Sequence, residues 1–208
     1  MALKFIRSIP ALGFIFIFIL LMTLIPMGSV RALNNHFSGE SLPLLEVFVS
    51  QVRNGKAEEL RGIYIPEILA ARVVEQPTKD KEFISPRQNI VTQFGLASQF
   101  GSTGLLAHNY LAGESFFLLK ENQKFYLIYG DGQISAFVVT KILHYKALEP
   151  TSTSSKFLGL ENDDLITASE LFSKIYNRRG EVVLQTCIAA DESLIWGRLF
   201  VIAEPYSQ

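Results

Sequence analysis

The one cysteine of the chain, Cys187, closes the apolar run Glu181-Val182-Val183-Leu184-Gln185-Thr186-Cys187. With no second cysteine to pair with, its sulfur is a small buried hydrophobe, an intermolecular bridge or a reactive thiol. The last of these is a nucleophile once ionised, and nearby positive charge favours ionisation. Of the three histidines, only His108 follows an apolar run, Gly104-Leu105-Leu106-Ala107. His36 lies in a polar stretch, and His144 falls in a strand pattern without a motif. Taken alone, each of the three reads first as a structural histidine. Arg198, eleven residues past Cys187, reads alone as a surface ion-pair residue. Arg178 and Arg179 sit at a helix end, where positive charge is favoured in any case. Glu161, Asp163 and Asp164 offer hard oxygen ligands of the kind calcium takes, but a solvated loop explains them better. No histidine–cysteine cluster has zinc spacing and no glycine-rich phosphate loop is present, so no metal and no cofactor is expected.

The elements that must hold these residues are mostly short strands. Gly62 to Leu69 alternates around Pro66 and predicts an edge strand. Lys124–Tyr129 and Ile134–Thr140, the second continuing to Tyr145, flank the turn signal Gly130-Asp131-Gly132. Glu181–Cys187 and Arg198–Ala203 supply two more strands. One helix is well marked: Thr167-Ala168-Ser169-Glu170 is a capping box, Leu171 and Ile175 give an apolar face, and Gly180 stops it. Many short strands and few helices predict a mainly β fold, a small barrel or a sandwich. The segment from Thr151 to Gly180 leads into the strand that carries Cys187. It is expected to wall a substrate groove, with Thr151–Asp164 a mobile polar loop and Ala168–Tyr176 packed on the barrel.

Three parts are expected along the chain: an anchor or signal segment over 1–32, a stalk with a short helix over 33–55, and a folded domain over 56–208. Lys4 and Arg7 precede an almost unbroken apolar run from Ile9 to Met27. About 20 such residues cross a bilayer as a helix, and the positive flank places the N-terminus inside. Val30-Arg31-Ala32 offers the small residues of a signal-peptidase site, so cleavage after Ala32 is the competing expectation. Either way the body is expected outside the cytoplasm. Nineteen basic residues against twenty acidic ones, without a basic stripe, argue against a nucleic-acid partner.

Taken together, Val183-Leu184-Gln185-Thr186-Cys187 resembles the T-L-x-T-C signature of the sortases, with Val183 in place of the first threonine. Trp196-Gly197-Arg198-Leu199-Phe200-Val201 resembles the arginine-bearing strand that follows the active cysteine in that family. Gly104-Leu105-Leu106-Ala107-His108-Asn109 resembles the segment delivering its histidine, and Phe116, Phe117 and Leu118 match its aromatic pattern. The resemblance spans roughly residues 58–206. The segment between His108 and Cys187 is longer than in compact members of the family.

That resemblance implies a closed β-barrel of about eight strands with a few short helices, carried by the N-terminal hydrophobic helix. It implies a cysteine transpeptidase that cuts a sorting signal and passes the acyl group to an amine on cell wall or pilin. In those terms Cys187 attacks the scissile carbonyl, His108 protonates the departing amine, and Arg198 donates to substrate or oxyanion, with Thr186 in support. The implied partners are surface proteins or pilins bearing a C-terminal sorting signal. Two alternatives stand beside it: a thiol endopeptidase that releases to water, and a non-catalytic barrel that binds peptides or partners.

Overall fold

The computed structural model describes residues 41–207. The expected anchor and residues 33–40 of the expected stalk lie outside the described residues. Among the described residues no helix is long and apolar enough to cross a membrane.

Ten strands form one sheet: β1 (Leu60–Ile65), β2 (Leu69–Glu75), β3 (Ile90–Phe94), β4 (Thr103–Leu106), β5 (Lys124–Tyr129), β6 (Ile134–Ala147), β7 (Lys156–Gly159), β8 (Leu165–Thr167), β9 (Val182–Ala190) and β10 (Ser193–Pro205). Their order is β10-β9-β4-β3-β2-β1-β5-β6-β7-β8, and an additional pairing of β10 with β6 closes the first eight into a barrel. Strands β7 and β8 extend from the closure as a flap. Closure removes the sheet edges that an open sheet would expose. The fold is therefore mainly β with a closed eight-stranded barrel, as the sequence implied.

Alternation along each strand splits the apolar residues between two faces. In β9, Val182 and Leu184 point into the barrel core with Leu105, Leu127, Leu199 and Val201. Val183, one position out of phase, faces outward into a second cluster with Tyr145, Phe200 and Ile202. Helix α1 (Leu45–Val52) seals a third, smaller cluster over β1 and β5, burying Phe48 and Val52 against Ile128. A short α2 (Gly95–Gln99) follows β3. A 3₁₀ helix (Ala112–Leu118) inserts Phe116 into the barrel core. Helix α3 (Ala168–Tyr176) covers the second cluster with Leu171, Ile175 and Tyr176. It starts with the full capping box: Glu170 N–H donates to Thr167 Oγ1, and Thr167 N–H donates to the Glu170 carboxylate.

Three expectations are corrected. The run 62–69 is not one edge strand. Pro66 and Glu67 turn the chain, Glu67 adopts φ 63°, and β1 lies between β2 and β5. The helix expected within the stalk forms, but Phe48 and Val52 are buried, so the chain from Leu45 is packed on the barrel. The segment expected as a polar loop over 151–164 contains β7, because Phe157 inserts beside Tyr145 and Ala147 while β7 pairs with β6.

Candidate active site

Cys187 and Arg198 are directly opposite each other in the antiparallel pair β9–β10. Residues paired in this way point their side chains to one face, with Cβ atoms about 5 Å apart. Val183 precedes Cys187 by four positions and Phe200 follows Arg198 by two, and both of those residues belong to the outer cluster. Cys187 and Arg198 therefore share the outer face of the barrel, in phase with that cluster. On the other flank of β9 lies the parallel strand β4, whose last registered pair is Leu106 with Gln185. His108 and Cys187 each stand two residues beyond that pair. Continued past the end of β4, that register brings His108 level with the paired Cys187 and Arg198, a row of three.

Two contacts hold the end of β4 against β9. Ala107 N–H donates to Gln185 O at 3.2 Å, and Thr186 Oγ1 donates to Ala107 O at 2.8 Å. Thr186 is 2 % exposed and in phase with the inward-facing Val182 and Leu184, so its hydroxyl is committed to this clamp. The expected substrate or oxyanion support from Thr186 is corrected accordingly: the side chain faces the interior and locks two strands together. Gly113 of the 3₁₀ helix packs onto the same spot. A Cβ there would meet His108 O at 2.7 Å and Ala107 O at 2.8 Å, which only a bare α-carbon avoids.

The turn from β9 to β10 uses Asp191 and Glu192, both with positive φ (50° and 63°), as two-residue hairpins require. Beyond it the register slips between Ser193 and Gly197, so Leu194, Ile195 and Trp196 form a bulge. Arg198 Nη1 donates to Ile195 O at 3.0 Å and to Gly197 O at 2.9 Å. Asn109 Nδ2 reaches the same bulge from the other side, at 2.8 Å from Leu194 O. Among the described residues no carboxylate is in ion-pair range of Arg198. Among the described residues its charge has no acidic partner, and its other guanidinium nitrogens make no hydrogen bond. The three residues of the row are each only partly buried.

Next to the row, under α3, lies an apolar cavity of about 190 Å³. Phe172, Ile175, Tyr176 and Phe200 line it, and its polar members are Gln185 and Arg198. Burial pushes the Tyr176 phenol well above its usual range, so it stays a neutral donor. It donates to Gln185 Oε1 in a short hydrogen bond. That fixes the carboxamide and leaves its Nε2 donors unpaired among the described residues. From the 151–180 segment, Phe157 and residues of α3 line this cavity.

The other candidates lie apart from the row. His144 Nδ1 is 2.7 Å from Glu161 Oε1, in an exposed pair outside the cavity. Asp164 accepts from Lys174 Nζ at 2.9 Å, which ties the loop to α3. Arg178 pairs with Glu181 at 3.2 Å. Among the described residues no group of three metal-ligating side chains converges. The sequence reading quoted Gln185 and Asn109 within motifs without giving either a role, and it missed the bulge. Gln185 was open to detection, since it precedes Cys187 by two and so shares its face.

No family model matches the sequence, and no curated protein does. Among solved structures the chain is similar in overall course to sortases. Sortase C1 from Streptococcus suis matches at 15 % identity over 80 % of this chain and 97 % of that one, with a TM-score of 0.49. Sortase A from Listeria monocytogenes matches at 14 % identity over 74 % and 89 %, with a TM-score of 0.47. Sortase C from Clostridium perfringens SM101 gives 14 % over 79 % and 84 %, with a TM-score of 0.44. These likenesses describe the course of the chain and leave the chemistry of Cys187 to its own surroundings.

Proposed function

We propose that this chain is an extracytoplasmic cysteine transpeptidase of the sortase type, held at the cell membrane by its N-terminal apolar segment or secreted after cleavage. What supports the reading is the pairing of Cys187 with Arg198 on β9 and β10, with His108 just past the end of the neighbouring β4 and an apolar cavity beside Arg198. The thiolate of Cys187 attacks the scissile peptide carbonyl, and a tetrahedral oxyanion forms. Arg198 supplies donors to that oxyanion or to the neighbouring substrate backbone, and its guanidinium remains charged throughout. The C–N bond then breaks, His108 gives a proton to the departing amine, and a thioester remains on Cys187. An incoming amine loses a proton to His108, attacks the thioester and expels the thiolate, which restores the enzyme. Thr186 and Gly113 serve by holding the strand ends that carry Cys187 and His108. The cavity takes an apolar side chain of the peptide, and Gln185 Nε2 donates to a substrate carbonyl at its mouth.

The substrates are surface proteins or pilins with a C-terminal sorting signal, and the acceptor is an amine of cell wall or pilin. A peptide-library cleavage assay, run with and without an added amine, tests this. Amide product that forms only with the amine, and not in Cys187→Ala, is expected. Equal cleavage without any amine makes the enzyme an endopeptidase. Turnover retained in Cys187→Ala sinks the cysteine mechanism.

A further inference from the structure

The backbone around His108 is held tightly, while its ring is not. The carbonyl of His108 accepts N–H groups from Leu111 and Gly113, both at 3.0 Å. Asn109 is pinned to the bulge and Ala107 to Thr186. None of these bonds touches the imidazole. The ring contact the structure gives His108 is with Tyr110, two residues on, at 5.2 Å between centroids and 17° between planes. Tyr110 is 56 % exposed, so burial alone does not explain where its ring sits. The pinned loop presents that ring to one face of the imidazole.

We propose that Tyr110 is a positioning residue for His108, setting the plane in which the imidazole delivers and accepts its proton. The inference rests on the transpeptidase reading of His108. Rotation about the second side-chain torsion of histidine is broad and roughly two-fold, so an unheld ring samples many orientations. A parallel platform against one face restricts that rotation and leaves both ring nitrogens, which lie at the edge, accessible for proton transfer. Near-parallel, offset aromatic pairs are attractive at this centroid separation. The contact uses the ring of Tyr110 and not its hydroxyl, so phenylalanine should replace it.

The test uses the full chain in detergent micelles, with the His108 Cε1 proton assigned by comparison with His108→Asn. Stacking shifts that resonance upfield by ring current. In Tyr110→Ala it should move downfield, and in Tyr110→Phe it should stay. With a peptide found in the library assay, kcat should fall about 3- to 10-fold in Tyr110→Ala at unchanged KM and recover in Tyr110→Phe. The iodoacetamide alkylation rate of Cys187 should stay constant across the three proteins, since it needs no proton from an oriented ring. An unmoved resonance in Tyr110→Ala, or a kcat that phenylalanine fails to restore, overturns the inference. Failure of the broader reading looks different: turnover then survives Cys187→Ala, whatever the His108 resonance does.

Discussion

Two helices lie on the outside of the same barrel, and they finish their packing differently. Helix α1 presses Phe48 and Val52 onto Gly62, where an added Cβ would come within 2.9 Å of the Phe48 ring. Nothing larger fits, and the face is closed. Helix α3 packs with more aromatic residues, yet it leaves a cavity of about 190 Å³ that reaches Gln185 and Arg198. Close packing is the default of protein interiors, so this unfilled apolar space is where the proposed peptide side chain would sit. The first helix is a seal and the second a wall.

The sharpest way to break this comparison is to delete the thiol. Cys187→Ala should lower turnover by a factor on the order of 10⁴ or more, while stability measured by urea unfolding changes by less than about 0.5 kcal/mol. A large loss of stability would make Cys187 a core residue. Next comes Phe48→Ala, which should cost about 3 kcal/mol by opening a cavity under α1. Alkylation of Cys187 by iodoacetamide should keep its rate under native conditions. Slower alkylation would show that the two faces are coupled through the barrel. Tyr176→Phe sharpens the contrast from the other side. Loss of its hydroxyl should cost about 1 kcal/mol and raise KM for the cognate peptide, because Gln185 loses the partner that aims it. An unchanged KM would reduce the pair to structural glue.

The smallest effect is electrostatic. The Glu170 carboxyl is held below its ordinary value, first by the backbone N–H of Thr167 and then by the Thr167 hydroxyl. Because its folded value is depressed, its stabilisation is present above the ordinary carboxylate range and is lost as pH falls through the folded value. The difference in melting temperature between wild type and Glu170→Gln should therefore be widest near neutrality and close in acid. A pH-independent difference would remove the carboxylate from the cap. Thr167→Ala, which strips the other half of the box, should cost about 1 kcal/mol at neutral pH.

What the sequence made legible follows the range of the interactions involved. The capping box of α3 is local, four residues long, and was readable at Thr167 and Glu170. The β5–β6 hairpin announced itself through Gly130-Asp131-Gly132, where Gly132 takes φ 94°. The β1–β2 turn gave no such mark, because Glu67 carries the positive φ that a glycine would have advertised. Strand β7 has four residues and one buried aromatic ring, too little for a periodic pattern. For the site, residue types and their order were readable from the motif around Cys187. Their arrangement was not, since the parallel pairing of β4 with β9 joins residues 79 apart, as in the bond from Thr186 to Ala107. Neither the bulge at Leu194–Trp196 nor the bond between Tyr176 and Gln185 leaves a local trace.

That long-range pairing has a consequence for how the protein comes to be. Contacts between distant parts of a chain form late, after the entropy of closing the intervening loop has been met. The β9–β10 hairpin, which already holds Cys187 opposite Arg198, is local and can form early. His108 joins only when β4 docks along β9 and the clamp from Thr186 closes. Until its barrel is assembled, a newly made chain thus holds Cys187 and Arg198 together without His108, and the three come level only as one of the last acts of folding.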